Sequence, residues 1–192
     1  MNEDERKEEA RLIARAKEGN MEAFETLVRK YQQTIYYLCR RMAGSHQAAD
    51  DLSQETFIKA YFALSQFREQ MNFYAWLRKI AVNNSLNYLK AQKREVPLAE
   101  TEIRNPDNPT PVHRELPLDT LQRAEIERKF KEALHALPAD QKSIFILRFY
   151  ENLSYKEIAQ ALNLPRGTVM SRLNRARQKL KSGLADYLKR RS

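Results

Sequence analysis

The sequence predicts an all-α protein made of two small helical domains joined by a proline-rich, acidic linker. Three observations carry this. The 192 residues hold only four glycines and no strand-like alternation between turn signals. Apolar residues recur at three- and four-residue spacing nearly throughout. Five of the seven prolines, Pro97, Pro106, Pro109, Pro111 and Pro117, fall between Val96 and Leu118 among acids and few apolar residues. That is the composition of a tether rather than of a packed element. The predicted boundaries are 1–94 for the first domain, 95–120 for the linker and 121–192 for the second.

In chain order, Glu8 to Lys17 reads as a first helix ended by Gly19-Asn20. Met21 to Arg41 is a longer one, with Phe24, Leu27, Val28, Tyr31, Ile35 and Leu38 at helical intervals, and Gly44-Ser45 breaks it. A third runs from about Gln47 to Ser65 and a fourth from about Asn72 to Gln92. Four helices with short connections form a compact domain. Helical pattern resumes near Leu121 and runs to Leu137. Pro138 stands at a helix start, and Ser143 to Tyr150 carries the next helix.

Leu153 to Leu180 then reads as two short helices joined by a tight turn. Ser154 and Glu157 have capping-box spacing, and Ile158, Ala159 and Leu162 supply a short apolar face. Asn163-Leu164-Pro165-Arg166-Gly167 breaks the helix, and Thr168 restarts it as an N-cap. Phased at about 100° per residue, the second helix turns Val169, Leu173, Ala176 and Leu180 inward. Ser171, Asn174, Arg175 and Gln178 point outward, with Met170, Arg172 and Arg177 on the flanks. An outward face of Arg, Asn, Gln and Ser suits base edges and phosphates, the arrangement of a helix-turn-helix.

Charge agrees with this. The net charge is +9, which points to a polyanionic partner. It is unevenly spread: from Leu164 to Ser192 nine Lys and Arg stand against one acid, Asp186, whereas Glu95 to Thr120 holds six acids against Arg104 and Arg114. The single cysteine, Cys39, excludes an internal disulfide, suits a reducing compartment and reads as a buried small hydrophobe. His46, His113 and His135 lack metal-ligand spacing, and there is no Gly-rich phosphate loop or nucleophile motif. No catalytic residue, metal or cofactor is therefore expected. No apolar run reaches membrane-spanning length, and MNEDERKEEA does not have the pattern of a signal peptide, so a soluble, intracellular chain without direct membrane insertion is expected.

Two further helices carry distinctive faces. On the third, Ala49, Leu52, Thr56, Ala60 and Ala63 phase inward, while Asp51, Gln54, Glu55, Ile58 and Phe62 gather outside. Acids beside exposed Ile and Phe fit a protein-docking patch. The fourth opens Phe73-Tyr74-Ala75-Trp76-Leu77, of which Trp76 and Leu77, with Ile80, belong to the core. From Arg78 to Arg94 it holds five basic residues and no acid. Aromatics interleaved with Arg78, Lys79, Asn83, Asn84 and Asn87 suit a single strand of DNA, whose unpaired bases stack and offer their edges.

Taken in order, DDLSQETFIKAY, FYAWLRKIAVNNSLNYL and LPADQKSIFILRFYENLSYKEIAQALNLPRGTVMSRLNRARQKL resemble the group IV, or extracytoplasmic-function, sigma factors of bacterial RNA polymerase. The resemblance covers nearly the whole chain. The last segment alone also fits LuxR-type regulators; the first two are more specific to sigma factors. The resemblance implies an alternative sigma factor in the bacterial cytoplasm that binds core polymerase, through the β′ clamp and the β flap, and directs initiation at promoter DNA. It implies a clamp-docking role for Asp51, Gln54, Glu55, Ile58 and Phe62. The segment Phe67 to Phe73, with Arg68 and Asn72, resembles the loop that captures a flipped base of the minus-ten element, and Asn83 matches a position near that pocket. Met170, Ser171, Asn174, Arg175 and Gln178 lie on the face that reads the minus-thirty-five element, with Arg172 and Arg177 as phosphate contacts. An anti-sigma factor is an expected partner, covering the apolar and acidic surfaces that polymerase uses. Where many relatives place glycine after the loop arginine, this chain has Glu69.

The competing reading is a stand-alone helix-turn-helix regulator, which needs neither the Asp51–Phe62 patch nor an aromatic strand-capture helix. An adaptor protein would leave the basic face unexplained. Promoter elements two helical turns apart are separated by roughly 70 Å. A linker of this size stretches to about 100 Å and averages about 30 Å as a relaxed coil. It permits binding at both elements without setting their spacing, so the polymerase is expected to hold the domains apart.

Overall fold

A computed structural model describes residues 3–68, 70–95 and 118–189. Among them are eight α-helices: α1 (Glu3–Lys17), α2 (Met21–Ala43), α3 (His46–Ala63), α4 (Phe73–Glu95), α5 (Leu118–His135), α6 (Ala139–Phe149), α7 (Tyr155–Leu162) and α8 (Arg166–Lys189), with a 3-10 turn over Leu64–Gln66. They divide into two compact units, α1–α4 and α5–α8. The acidic, proline-rich stretch from 96 to 117 and the loop residue Glu69 lie outside the described residues.

In the first unit, α2 packs against α1, α3 and α4, and α3 against α4. The helix starts follow from capping. Asn20 Oδ1 accepts from the Ala23 N–H at 2.8 Å, and Ser45 Oγ from Ala48 at 3.1 Å. Gly19 and Gly44 take the left-handed conformation that closes α1 and α2, with φ of 89° and 94°. The helix α1 starts at Glu3 rather than Glu8, because Glu3, Asp4 and Glu5 suit the positive end of the helix dipole. The third helix gives way at Leu64 to the 3-10 turn, and α4 continues to Glu95. Leu27, Ile35, Leu38, Met42, Leu52, Leu77 and Val82 fill the core. Leu77 is fully enclosed, while Trp76 and Ile80 are half-buried. Cys39 lies in this core, where burial pushes its thiol up to about 11.

In the second unit, α8 packs on α5, α6 and α7. The described α5 begins at Leu118, three residues before the pattern predicts. The next helix, α6, begins at Ala139, directly after Pro138, which stands at the helix start as predicted. The Pro138 carbonyl accepts from both Gln141 and Lys142 at 2.9 Å, so the helix includes the four residues before Ser143. Ser154 and Glu157 form the expected capping box. The turn between α7 and α8 starts at Asn163 as predicted but ends earlier, at Pro165. Asn163, at φ 52°, makes the left-handed residue that ends α7, and Gly167 sits inside α8. The first turn of α8 hangs on the Pro165 carbonyl, which accepts from Thr168 at 3.0 Å and Val169 at 3.2 Å, so Thr168 is an interior residue and not the cap.

Candidate nucleic-acid and protein interfaces

The α3 face follows from the inward side of the same helix. Ala49, Leu52, Thr56 and Ala60 are buried, which forces Asp51, Gln54, Glu55, Ile58 and Phe62 outward. Ile58 is 57% exposed and Phe62 76%, far beyond what an ordinary packed side chain of that size shows. The Phe62 ring is held edge-on against Tyr61, centroids 5.7 Å apart, and Tyr61 against Phe24 at 5.1 Å. The patch is therefore apolar, acidic and braced from below.

The loop before α4 and the start of α4 are built on three rings. Phe67, Phe73 and Trp76 form a triangle with centroids 5.3 to 5.6 Å apart. Phe73 is 2% exposed, so it anchors the loop from inside and is not available to stack on an unpaired base. Asn72 is committed as a cap, its Oδ1 accepting from the Ala75 N–H at 2.9 Å. Arg68 is exposed at the loop's base, and its carbonyl accepts from Met71 at 2.9 Å. Along α4, Lys79, Asn83 and Asn87 are exposed. Arg78 is half-buried, its guanidinium 5.2 Å from the Tyr74 ring, which stacks on Tyr31. Asn84 departs from expectation. At 5% exposure its NH2 donates to Thr56 Oγ1 at 3.2 Å, and its Oδ1 accepts from Lys59 Nζ at 2.7 Å. It ties α4 to α3 and does not face solvent.

Sequence reasoning missed two groups here. Lys59 lies on α3 between Glu55 and Asn84, in a groove of about 350 Å³ also lined by Asp51, Asn87 and Tyr88. The Glu55–Lys59 spacing was visible as an i,i+4 pair; the Asn84 contact was not. Glu9 of α1 is buried with a carboxylate bonded to Lys30 at 2.7 Å and to the Tyr31 hydroxyl, which donates to it. Burial, then Glu9, raises the Tyr31 hydroxyl well above the usual phenol range.

The α8 face is laid out by Val169, Leu173, Ala176 and Leu180, all buried. Ser171, Asn174, Arg175 and Gln178 are exposed opposite them, and Met170 is half out. Ser171 donates back to the Thr168 carbonyl at 3.1 Å. Asn174, Arg175 and Gln178 present donors and acceptors of the kind that pair with base edges in a major groove. The two flanking arginines differ. Arg177 is exposed beside Phe149, 5.2 Å from the ring centroid. Arg172 is half-buried, its Nε 3.2 Å from Asp140 Oδ2, so a carboxylate of the same unit already occupies the group expected to meet phosphate.

Among the described residues there is no group of three or more His, Cys, Asp or Glu arranged to hold a metal, and no helix long and apolar enough to cross a membrane. Two family models match: Sigma-70 region 2 over residues 27–95, and Sigma-70, region 4 over residues 127–180. The chain is 37% identical over 186 residues to the RNA polymerase sigma-H factor of Pseudomonas aeruginosa, covering 95% of this chain and 96% of that one. It is 38% identical over 183 residues to the ECF RNA polymerase sigma-E factor of Haemophilus influenzae, covering 89% and 92%. Its fold is similar to the sigma factor RpoE of Bartonella quintana, solved in complex with the anti-sigma factor NepR, with a TM-score of 0.61 at 26% identity over 84% of this chain and 96% of that one.

Proposed function

We propose a division of labour that starts from one premise: the chain belongs to the extracytoplasmic-function branch of the sigma-70 family, and is an alternative sigma factor directing transcription initiation. Its first unit docks on core polymerase and reads one melted strand of the minus-ten element. Its second unit reads the minus-thirty-five duplex. The observation that supports this most is the pairing of two solvent-facing helix faces of opposite character. The α3 face is acidic and apolar, with Phe62 76% exposed, whereas the α8 face is basic and amide-rich. The first fits a protein and the second a polyanion.

In this reading Asp51, Gln54, Glu55, Ile58 and Phe62 meet the β′ clamp. Arg68, Lys79, Asn83 and Asn87 face the melted strand, Arg78 meets its backbone, and Phe73, Asn72 and Asn84 hold that surface in shape from behind. Met170, Ser171, Asn174, Arg175 and Gln178 face the major groove, with Arg177 on phosphate. Arg172 reaches a phosphate by exchanging Asp140 for it. The second unit sits toward the β flap. The chain supplies recognition and no catalytic group, and works on polymerase in the cytoplasm. An anti-sigma factor of the kind bound to the Bartonella quintana protein opposes it by covering the α3 face.

The experiment is run-off transcription with core polymerase stripped of sigma factors, on fragmented bacterial genomic DNA, with and without the chain. Discrete new start sites that vanish on Asp51→Arg or Asn83→Ala are expected. No transcripts, and no complex with core polymerase on size exclusion, would favour the stand-alone regulator.

A further inference from the structure

Three side chains from two helices meet at the Lys59 ammonium. Its Nζ lies 2.6 Å from Glu55 Oε1, on the outward face of α3, and donates at 2.7 Å to Asn84 Oδ1 of α4. Asn84 passes the connection on to Thr56 Oγ1 at 3.2 Å, and the Thr56 hydroxyl donates to the Leu52 carbonyl at 2.7 Å. The run begins on an exposed carboxylate and ends in the backbone of α3. Its middle member is buried, so the Asn84 oxygen depends on the Lys59 donor, and a buried acceptor left without one is costly.

Asn84 sits between the two exposed amides of α4. Asn83 is the preceding residue and Asn87 lies nearly one turn on, where it lines the same groove as Glu55 and Lys59. Fixing the Asn84 amide therefore fixes the rotation of α4 that presents Asn83 and Asn87. Lys59 performs this while its charge is shared with Glu55. A cation arriving on Glu55 takes over that carboxylate and leaves the ammonium committed to Asn84. An ammonium that donates to two acceptors divides its charge between them, so release of Glu55 strengthens the donation to Asn84.

We infer that Lys59 is a positioning residue linking the docking face of α3 to the amide row of α4, so that occupation of Glu55 by polymerase is felt where the melted strand is read. The inference rests on the division of labour proposed above and goes beyond it, because that division needs no connection between the two faces.

The test uses holoenzyme assembled from core polymerase and the full chain. Two affinities are measured by fluorescence anisotropy: that of the chain for core polymerase, and that of the holoenzyme for the non-template strand of a start site mapped by run-off. Lys59→Met is expected to hold core affinity within about threefold and to lower strand affinity about tenfold. Asn84→Ala is expected to lower it similarly, with the double variant no worse than either single one. Lys59→Arg, which keeps charge and donor, is expected to recover most of the loss. An unmoved strand affinity in Lys59→Met, a parallel fall in both affinities, or losses that multiply in the double variant overturns the inference. A wild-type holoenzyme that initiates nowhere sinks the division of labour instead, and the two failures are distinct.

Discussion

The helices α3 and α8 share one plan and turn outward faces of opposite chemistry to solvent. Each buries a stripe of four small or aliphatic residues, Ala49, Leu52, Thr56 and Ala60 on one and Val169, Leu173, Ala176 and Leu180 on the other. Each leaves the opposite stripe in solvent. On α3 that stripe sets Asp51 and Glu55 beside Ile58 and Phe62; on α8 it sets Asn174, Arg175 and Gln178 beside Met170. The buried stripes hold the units together, and the exposed stripes are free to differ in charge and polarity without touching the packing.

The largest expected effects lie on the buried stripes. Leu173→Ala removes a side chain that is almost wholly enclosed and is expected to cost about 2–5 kcal/mol. In calorimetry of the full chain the loss should fall on one of two transitions, that of the α5–α8 unit. Displacement of a single transition for the whole chain would show that the units do not melt separately. Phe62→Ala is the outward counterpart. It is expected to weaken binding to core polymerase by about 2 kcal/mol or more, as central aromatic anchors do, with the melting profile unmoved. A lowered melting temperature with intact core binding would reverse the assignment.

Smaller effects sharpen the α8 side. Arg175→Ala should cost about 1–3 kcal/mol on the preferred duplex and relax preference at one base position. Arg177→Ala should weaken all duplexes alike and reduce the salt slope by about 1. Competition assays over a salt series separate the two, and equal effects on specificity would sink the assigned roles. Ser154→Ala removes half of the capping box. It is expected to cost about 1 kcal/mol of stability and to leave base preference alone, which denaturant titration and the same competition assays check.

The two faces were legible in the sequence because a single helix sorts its own residues by phase. Asp51, Ile58 and Phe62 fall together on α3, as do Asn174, Arg175 and Gln178 on α8, whatever surrounds them. What needed the fold was contact between helices. Asn83, Asn84 and Asn87 look alike along the chain; only the approach of Thr56 and Lys59 buries the second of them. Phe73 reads as a stacking ring until Phe67 and Trp76 close over it. Arg172 reads as a free phosphate contact until Asp140 of α6 reaches it. The α7–α8 break falls within the predicted Asn163–Gly167 segment, but its left-handed residue is Asn163 and not Gly167. Glycine is the usual left-handed residue, but Asn163 tolerates the same geometry and comes first.

The exposed Phe62 ring also has a bearing on the free chain in solution. At 76% exposure, with Ile58 at 57% on the same helix, the ring keeps apolar surface in water, and surface of that kind favours self-association as concentration rises. Solubility of the free chain is therefore set in part on the outward side of α3, where a polar residue in place of Phe62 is expected to raise it.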